Sequence, residues 1–126
     1  MRLEVLNWFK QAEKDLEKAE ILFKNQSFDG TAFYSQQTAE KALKAAILFK
    51  KEDKAEGHSL IYLGKEARIP KFLFPQLKKL SPQYIISRYP DVSDDLPSDL
   101  YDEELAKEFL ETARKVLEWT RKQLKL

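Results

Sequence analysis

Two stretches near the ends of this chain repeat apolar residues at helical spacing, and no stretch alternates with the two-residue period of a strand. Val5, Phe9, Ala12, Leu16, Ala19 and Phe23 advance in steps of 4, 3, 4, 3 and 4, so all six share one stripe of a helix from Leu3 to about Asn25. Lys10, Glu13, Lys14, Glu17 and Lys18 fill the opposite side. From about Asp102 to Lys125, Leu105, Phe109, Ala113, Val116 and Thr120, flanked by Ala106, Leu110, Leu117 and Leu124, form a wide apolar face. Asp102, Glu103 and Glu104 open that segment and Arg121, Lys122 and Lys125 close it, the order that a helix dipole favours.

Between these ends lies a helix of a different kind, expected from about Gly30 to Lys51 after an Asp29-Gly30 turn. At 100° per residue, Ala32, Ala39, Leu43, Ala46 and Ile47 form one apolar arc, and Tyr34, Ala45, Leu48 and Phe49 a second. A helix apolar on two sides belongs among several neighbours. Gln36 and Glu40 fall in or beside the first arc, while Gln37, Lys41 and Lys44 form a narrow polar stripe between the two. Buried polar groups without partners cost about 1–3 kcal/mol each, so this band needs either hydrogen-bonding neighbours or a groove.

Lys50 to Gly57 reads as a charged connector, and His58-Ser59-Leu60 as the opening of a short helix to about Ala67. Lys71 to Ser87 is a further helical stretch that kinks at Ser81-Pro82, read as an N-cap with Pro at the first helical position. Arg88 to Tyr101 is the longest expected non-helical segment; it holds Asp91, Asp94, Asp95 and Asp99 and has no basic residue after Arg88. The pattern predicts a single all-α domain over residues 1–126, an antiparallel up-and-down four-helix-type bundle with one extra short helix.

Composition narrows the chemistry. The chain has no Cys, which removes disulfides, thiolate metal sites and a Cys nucleophile, and its single His makes an ordinary zinc site unexpected. No metal or cofactor is expected. Neither a signal-length apolar run nor a membrane-spanning one is present, so the expected compartment is the cytosol. Net charge is +1, so any contact with nucleic acid has to rest on a local basic patch.

The most distinctive text is Tyr34-Ser35-Gln36-Gln37-Thr38-Ala39-Glu40-Lys41-Ala42-Leu43-Lys44-Ala45, followed by Gly57-His58-Ser59-Leu60 and Arg88-Tyr89-Pro90-Asp91. In order and rough spacing these three elements resemble the HEPN family (higher eukaryotes and prokaryotes nucleotide-binding). The resemblance implies a four- to five-helix bundle, a homodimer, and a small nucleotidyltransferase as partner in a toxin–antitoxin-like pair. Some branches of the family are ribonucleases that use an Arg and a His with four to six residues between them, and here the sequence departs from the pattern. The residues at those distances from His58 are Lys51, Glu52 and Asp53. Lysine brings a positive charge but not the planar fork with which Arg grips a phosphate.

Each candidate residue has a structural and a functional reading. Gln36 and Glu40 either lock helix register or line a cleft with Gln37, Lys41 and Lys44, where Lys would bind phosphate and Gln a base edge. His58 either packs at a helix start or serves as an acid/base, since an unperturbed His titrates near pH 6.5. Arg88 either bridges to a carboxylate, with the Tyr89 ring buried, or binds phosphate while Tyr89 or Tyr84 stacks on a base. The acidic run is a solvated loop leading into a helix start, or a docking surface for a basic partner. Arg114, Lys115, Arg121, Lys122 and Lys125 form a solvated face or a modest basic patch. Three functions follow. One is a nucleotide- or RNA-binding module with residues Gln37, Glu40, Lys41, Lys44, His58, Arg88 and Tyr89. The second is a metal-independent ribonuclease using His58 with Arg88 or Lys51, and the third a ligand-free interaction scaffold.

Overall fold

The computed structural model describes residues 1–51 and 53–126. Helix α1 (Leu3–Lys24) and helix α2 (Phe28–Lys51) form an antiparallel hairpin. The turn between them closes on Gln26, whose φ of 62° lets Ser27 N–H donate back to the Leu22 carbonyl at 2.8 Å. That closure brings Phe28, Asp29 and Gly30 into the first turn of α2, two residues ahead of the start expected from Asp29-Gly30. At Gly30 the helices approach closely: a Cβ there would meet the tip of the Leu22 side chain, Cδ1, at 2.8 Å and make that side chain shift.

Helix α2 is the centre of the molecule and touches α1, α3 (Leu60–Ala67), α4 (Phe74–Leu80), α5 (Gln83–Ile86) and α7 (Glu103–Gln123). Its central position accounts for the two apolar arcs. Ala32, Ala39, Leu43, Ala46 and Ile47 are all buried, as are Ala45 and Leu48 of the second arc, while Phe49 is exposed. Small side chains set the helix spacing: Ala12 and Ala19 on α1, Ala42 and Ala45 on α2, and Ala113 on α7 are fully buried. Thr120 crosses from α7 to donate its hydroxyl to the Ala42 carbonyl at 3.3 Å. Arg114 and Arg121 of α7 reach Glu20 and Glu13 of α1, so these two helices run antiparallel and the C-terminal basic residues are partly spent on ion pairs.

The fourth position of the bundle is filled by short helices in place of one long one. Helix α3 opens at Ser59, whose hydroxyl accepts from Tyr62 N–H at 3.2 Å. The stretch after Pro70 begins as a 3-10 turn, Lys71–Leu73, and continues as α4. It is interrupted at Ser81-Pro82 as expected, but Ser81 does not cap the helix that follows. Its hydroxyl accepts from Leu60 N–H at 2.9 Å and so serves the start of α3. The segment after Arg88 is not free of helix: α6 (Pro90–Ser93) and a 3-10 turn (Pro97–Leu100) occupy it. Each begins on a proline, whose fixed φ starts a helical turn without any apolar periodicity to announce it. Asp102 then caps α7, accepting from Leu105 N–H at 2.8 Å. The result is all-helical, with no strand among the described residues, and no described helix is long and apolar enough to cross a membrane.

Candidate nucleotide-binding groove

Phe33, Gln37, Glu40 and Lys44 are three or four residues apart on α2, so they lie along one stripe of that helix, about 16 Å from end to end. The middle of the stripe is a buried polar chain. Gln36 is fully buried and donates from Nε2 to Glu40 Oε1 at 3.3 Å and to the His58 carbonyl at 3.1 Å, while its Oε1 accepts from Gln37 at 2.9 Å. Glu40, 4% exposed, receives Lys44 Nζ on Oε2 at 3.1 Å and faces His58 Nδ1 across 2.8 Å on Oε1. Gln36 and Glu40 are thus buried and hydrogen-bonded, within α2 and to His58 in the turn before α3 rather than to a neighbouring helix.

His58 stands on the surface end of this chain, its side chain 52% exposed. Gly57 precedes it with a φ of 91°, a conformation that L side chains rarely adopt, and this turns the connector so that His58 reaches Glu40. A proton on Nδ1 donated to the carboxylate leaves the other ring nitrogen free to accept a proton or a hydrogen bond. The imidazole lies against the Tyr84 ring, centroids 4.6 Å apart.

At one end of the stripe, Lys44 Nζ sits 5.4 Å from the centroid of the Trp8 ring. A groove of about 250 Å³ opens there between Trp8, Lys44 and the connector residues Lys54 to Gly57. It adjoins a second hollow of about 350 Å³ that shares Trp8 and Lys54 and extends along α1 past Glu4, Asn7 and Gln11. At the other end, the Arg88 guanidinium lies 4.5 Å from the Phe33 ring and 5.1 Å from the Tyr89 ring, and its Nε donates to the Tyr84 carbonyl at 2.8 Å. Arg88 thus rests on aromatic rings rather than on a carboxylate. Tyr89 is 47% exposed rather than buried.

The structure brings Glu40, Lys44 and His58 into one connected set, with Gln37 beside them. Tyr84 links that set to Arg88 and Tyr89 through its ring on one side and its carbonyl on the other. Lys41 goes elsewhere: it pairs at 2.5 Å with Asp15, a buried carboxylate of α1 that also accepts from Gln11. Lys51 is held by Glu66 at 3.0 Å, and that pairing keeps the Glu66 carboxyl below the usual carboxylate range. Among the positions matching the family's ribonuclease Arg, Glu52 lies outside the described residues. Trp8 and Lys54 were not legible as site residues, because neither belongs to the α2 pattern; each arrives by tertiary packing from a different element.

Comparison with known proteins agrees with this architecture. The family model for the HEPN domain matches residues 5–123. A protein of Methanocaldococcus jannaschii that bears the name "Putative toxin MJ1304" is 32% identical, with 88% of this chain and 82% of that protein covered. The crystal structure of TT1696 from Thermus thermophilus superposes with a TM-score of 0.89 at 29% identity, covering 97% of this chain and 99% of that one. That of ST0689, an archaeal HEPN homologue, does so with a TM-score of 0.81 at 37% identity, covering 94% and 96%. The motifs of α2, the His58 turn and the Arg88-Tyr89 element thus sit in a shared fold, and the chain belongs to the HEPN domain family.

Proposed function

We propose that this HEPN domain is a binding module for a nucleotide or a single RNA strand, held along the α2 stripe between Trp8 and Tyr89. The observation that carries the reading is the pairing of cation with aromatic surface at both ends of one stripe: Lys44 with Trp8, and Arg88 with Phe33 and Tyr89. Such pairs suit a ligand of alternating phosphates and bases, since the cations meet phosphate and the rings stack on bases. In this reading Gln37 and His58 offer hydrogen bonds midway, and Lys41 supports the stripe from behind through Asp15. The proposal extends to a homodimer that works with a small nucleotidyltransferase as a toxin–antitoxin-like pair; the name of the Methanocaldococcus jannaschii relative supports the toxin side.

The test is equilibrium binding of a fluorescent ATP analogue and of short single-stranded RNAs to the purified chain. Binding at micromolar protein is expected, weakened about tenfold by Lys44→Ala or Trp8→Ala, the loss that one stacking or phosphate contact represents. Absence of binding to either ligand rejects the reading. A second reading, a metal-independent ribonuclease with His58 as acid/base, draws on the Glu40–His58 contact, since a carboxylate that orients an imidazole suits it to proton transfer. RNA cleaved by the wild type and spared by His58→Ala would move the assignment to that enzyme.

A further inference from the structure

A second concave region, sharing no lining residue with the Trp8–Lys44 groove, lies where α3 ends and α4 begins. Two hollows of about 650 and 530 Å³ meet there over Lys65 and Phe74. Their floor is apolar, with Ile61, Ile69 and Phe74, and the 3-10 turn alongside leaves Phe72 74% exposed. Their rim is cationic: Lys65, Arg68, Lys71 and Lys78. Among the described residues none of these four forms an ion pair, and no carboxylate lines either hollow. The local excess of positive charge is felt nearby, where burial and the adjacent Arg68 hold the Lys50 ammonium below its usual range. A simple phosphate would satisfy the rim and leave the floor uncovered. An occupant with both carboxylates and apolar side chains satisfies both.

The chain itself carries such a segment. Asp91, Asp94, Asp95 and Asp99 are exposed, and none is in an ion pair among the described residues. Between them Val92 and Leu96, four residues apart, are 49% and 58% exposed. Four carboxylates around two apolar side chains match four cations around an apolar floor in charge and in pattern. We propose that the 91–99 segment of one copy docks in the α3–α4 groove of a second copy, reciprocally in a two-fold pair. This rests on the homodimer in the proposed function and names the surfaces that make it.

Sedimentation equilibrium of the full chain tests it. The wild type is expected to dimerise, more weakly in molar salt than in dilute buffer. Lys71→Glu with Lys78→Glu, and separately Asp94→Lys with Asp95→Lys, should each weaken the dimer more than about tenfold. A one-to-one mixture of the two double variants should recover the dimer, because both reciprocal contacts then join opposite charges. Arg68→Gly gives a milder check. Arg68 ends α3 with a φ of 62°, where Gly is at ease, so the fold is kept while one rim charge is lost. A dimer indifferent to the charge reversals, or a mixture that stays dissociated, overturns this inference and leaves the homodimer standing. A monomeric wild type overturns both.

Discussion

At the scale of single residues, the lysines of α2 look alike in sequence and do different work. Lys41 and Lys44 are three apart, and both fall in the polar stripe. In the fold, Lys41 neutralises Asp15, which is 1% exposed, whereas Lys44, itself only 8% exposed, pairs with Glu40 and lines the groove beside Trp8. Lys41→Ala should therefore lower stability by about 1–3 kcal/mol, because it strands a buried carboxylate that retains only Gln11 and a distant Lys18. Ligand affinity should stay within about twofold of wild type. Chemical denaturation paired with the binding assay separates the two lysines, and equal losses of affinity in both variants would contradict the division. The sequence showed that this band needed partners, but not which ones. Asp15 sits in the middle of α1 and His58 beyond a connector, and neither distance can be read from a periodic pattern.

Among the elements, the short ones after Arg88 are tied to the bundle in part by a single side chain. Tyr101, nearly buried, donates its hydroxyl to Gln83 Oε1 and so ties the segment before α7 to α5. Burial and the nearby Asp29 carboxylate push its phenol up to about 12 from 10.0. Below pH 10 both folded and unfolded chains keep this proton. Between pH 10 and about 12 the unfolded chain gives it up first, so stability falls as pH rises through that window. Tyr101→Phe should be less stable at neutral pH by about 1 kcal/mol for the lost hydrogen bond. Thermal melts from pH 9 upward should then converge with those of the wild type, and a gap that stays constant across pH would contradict the assignment. The long helices were readable because their apolar stripes persist for five or six turns. The small helices at Pro90 and Pro97 are set by proline geometry and by Tyr101, and leave no periodic trace.

For the whole molecule, the charge is divided by place rather than by amount. A chain with 22 basic and 21 acidic side chains has almost no net field, yet it keeps a cationic groove at α3–α4, an acidic edge at 91–99, and two cation–aromatic pairs along α2. The bundle was legible from its stripes, and the three motifs that carry the family resemblance fall on the helix, turn and segment that surround His58. The groove was legible only in part, since its far walls come from α1 and from the connector before His58. In the proposed function a nucleotide or RNA lies against Trp8. The chain has two tryptophans, and Trp119 sits instead under Lys50, 5.2 Å from its ammonium, so it serves as an internal reference. The decisive measurement follows both indole N–H resonances by NMR while single-stranded RNA or ATP is added. The Trp8 signal should move to saturation while that of Trp119 holds still. A ligand that binds without moving Trp8, or that moves Trp119 instead, would contradict the account.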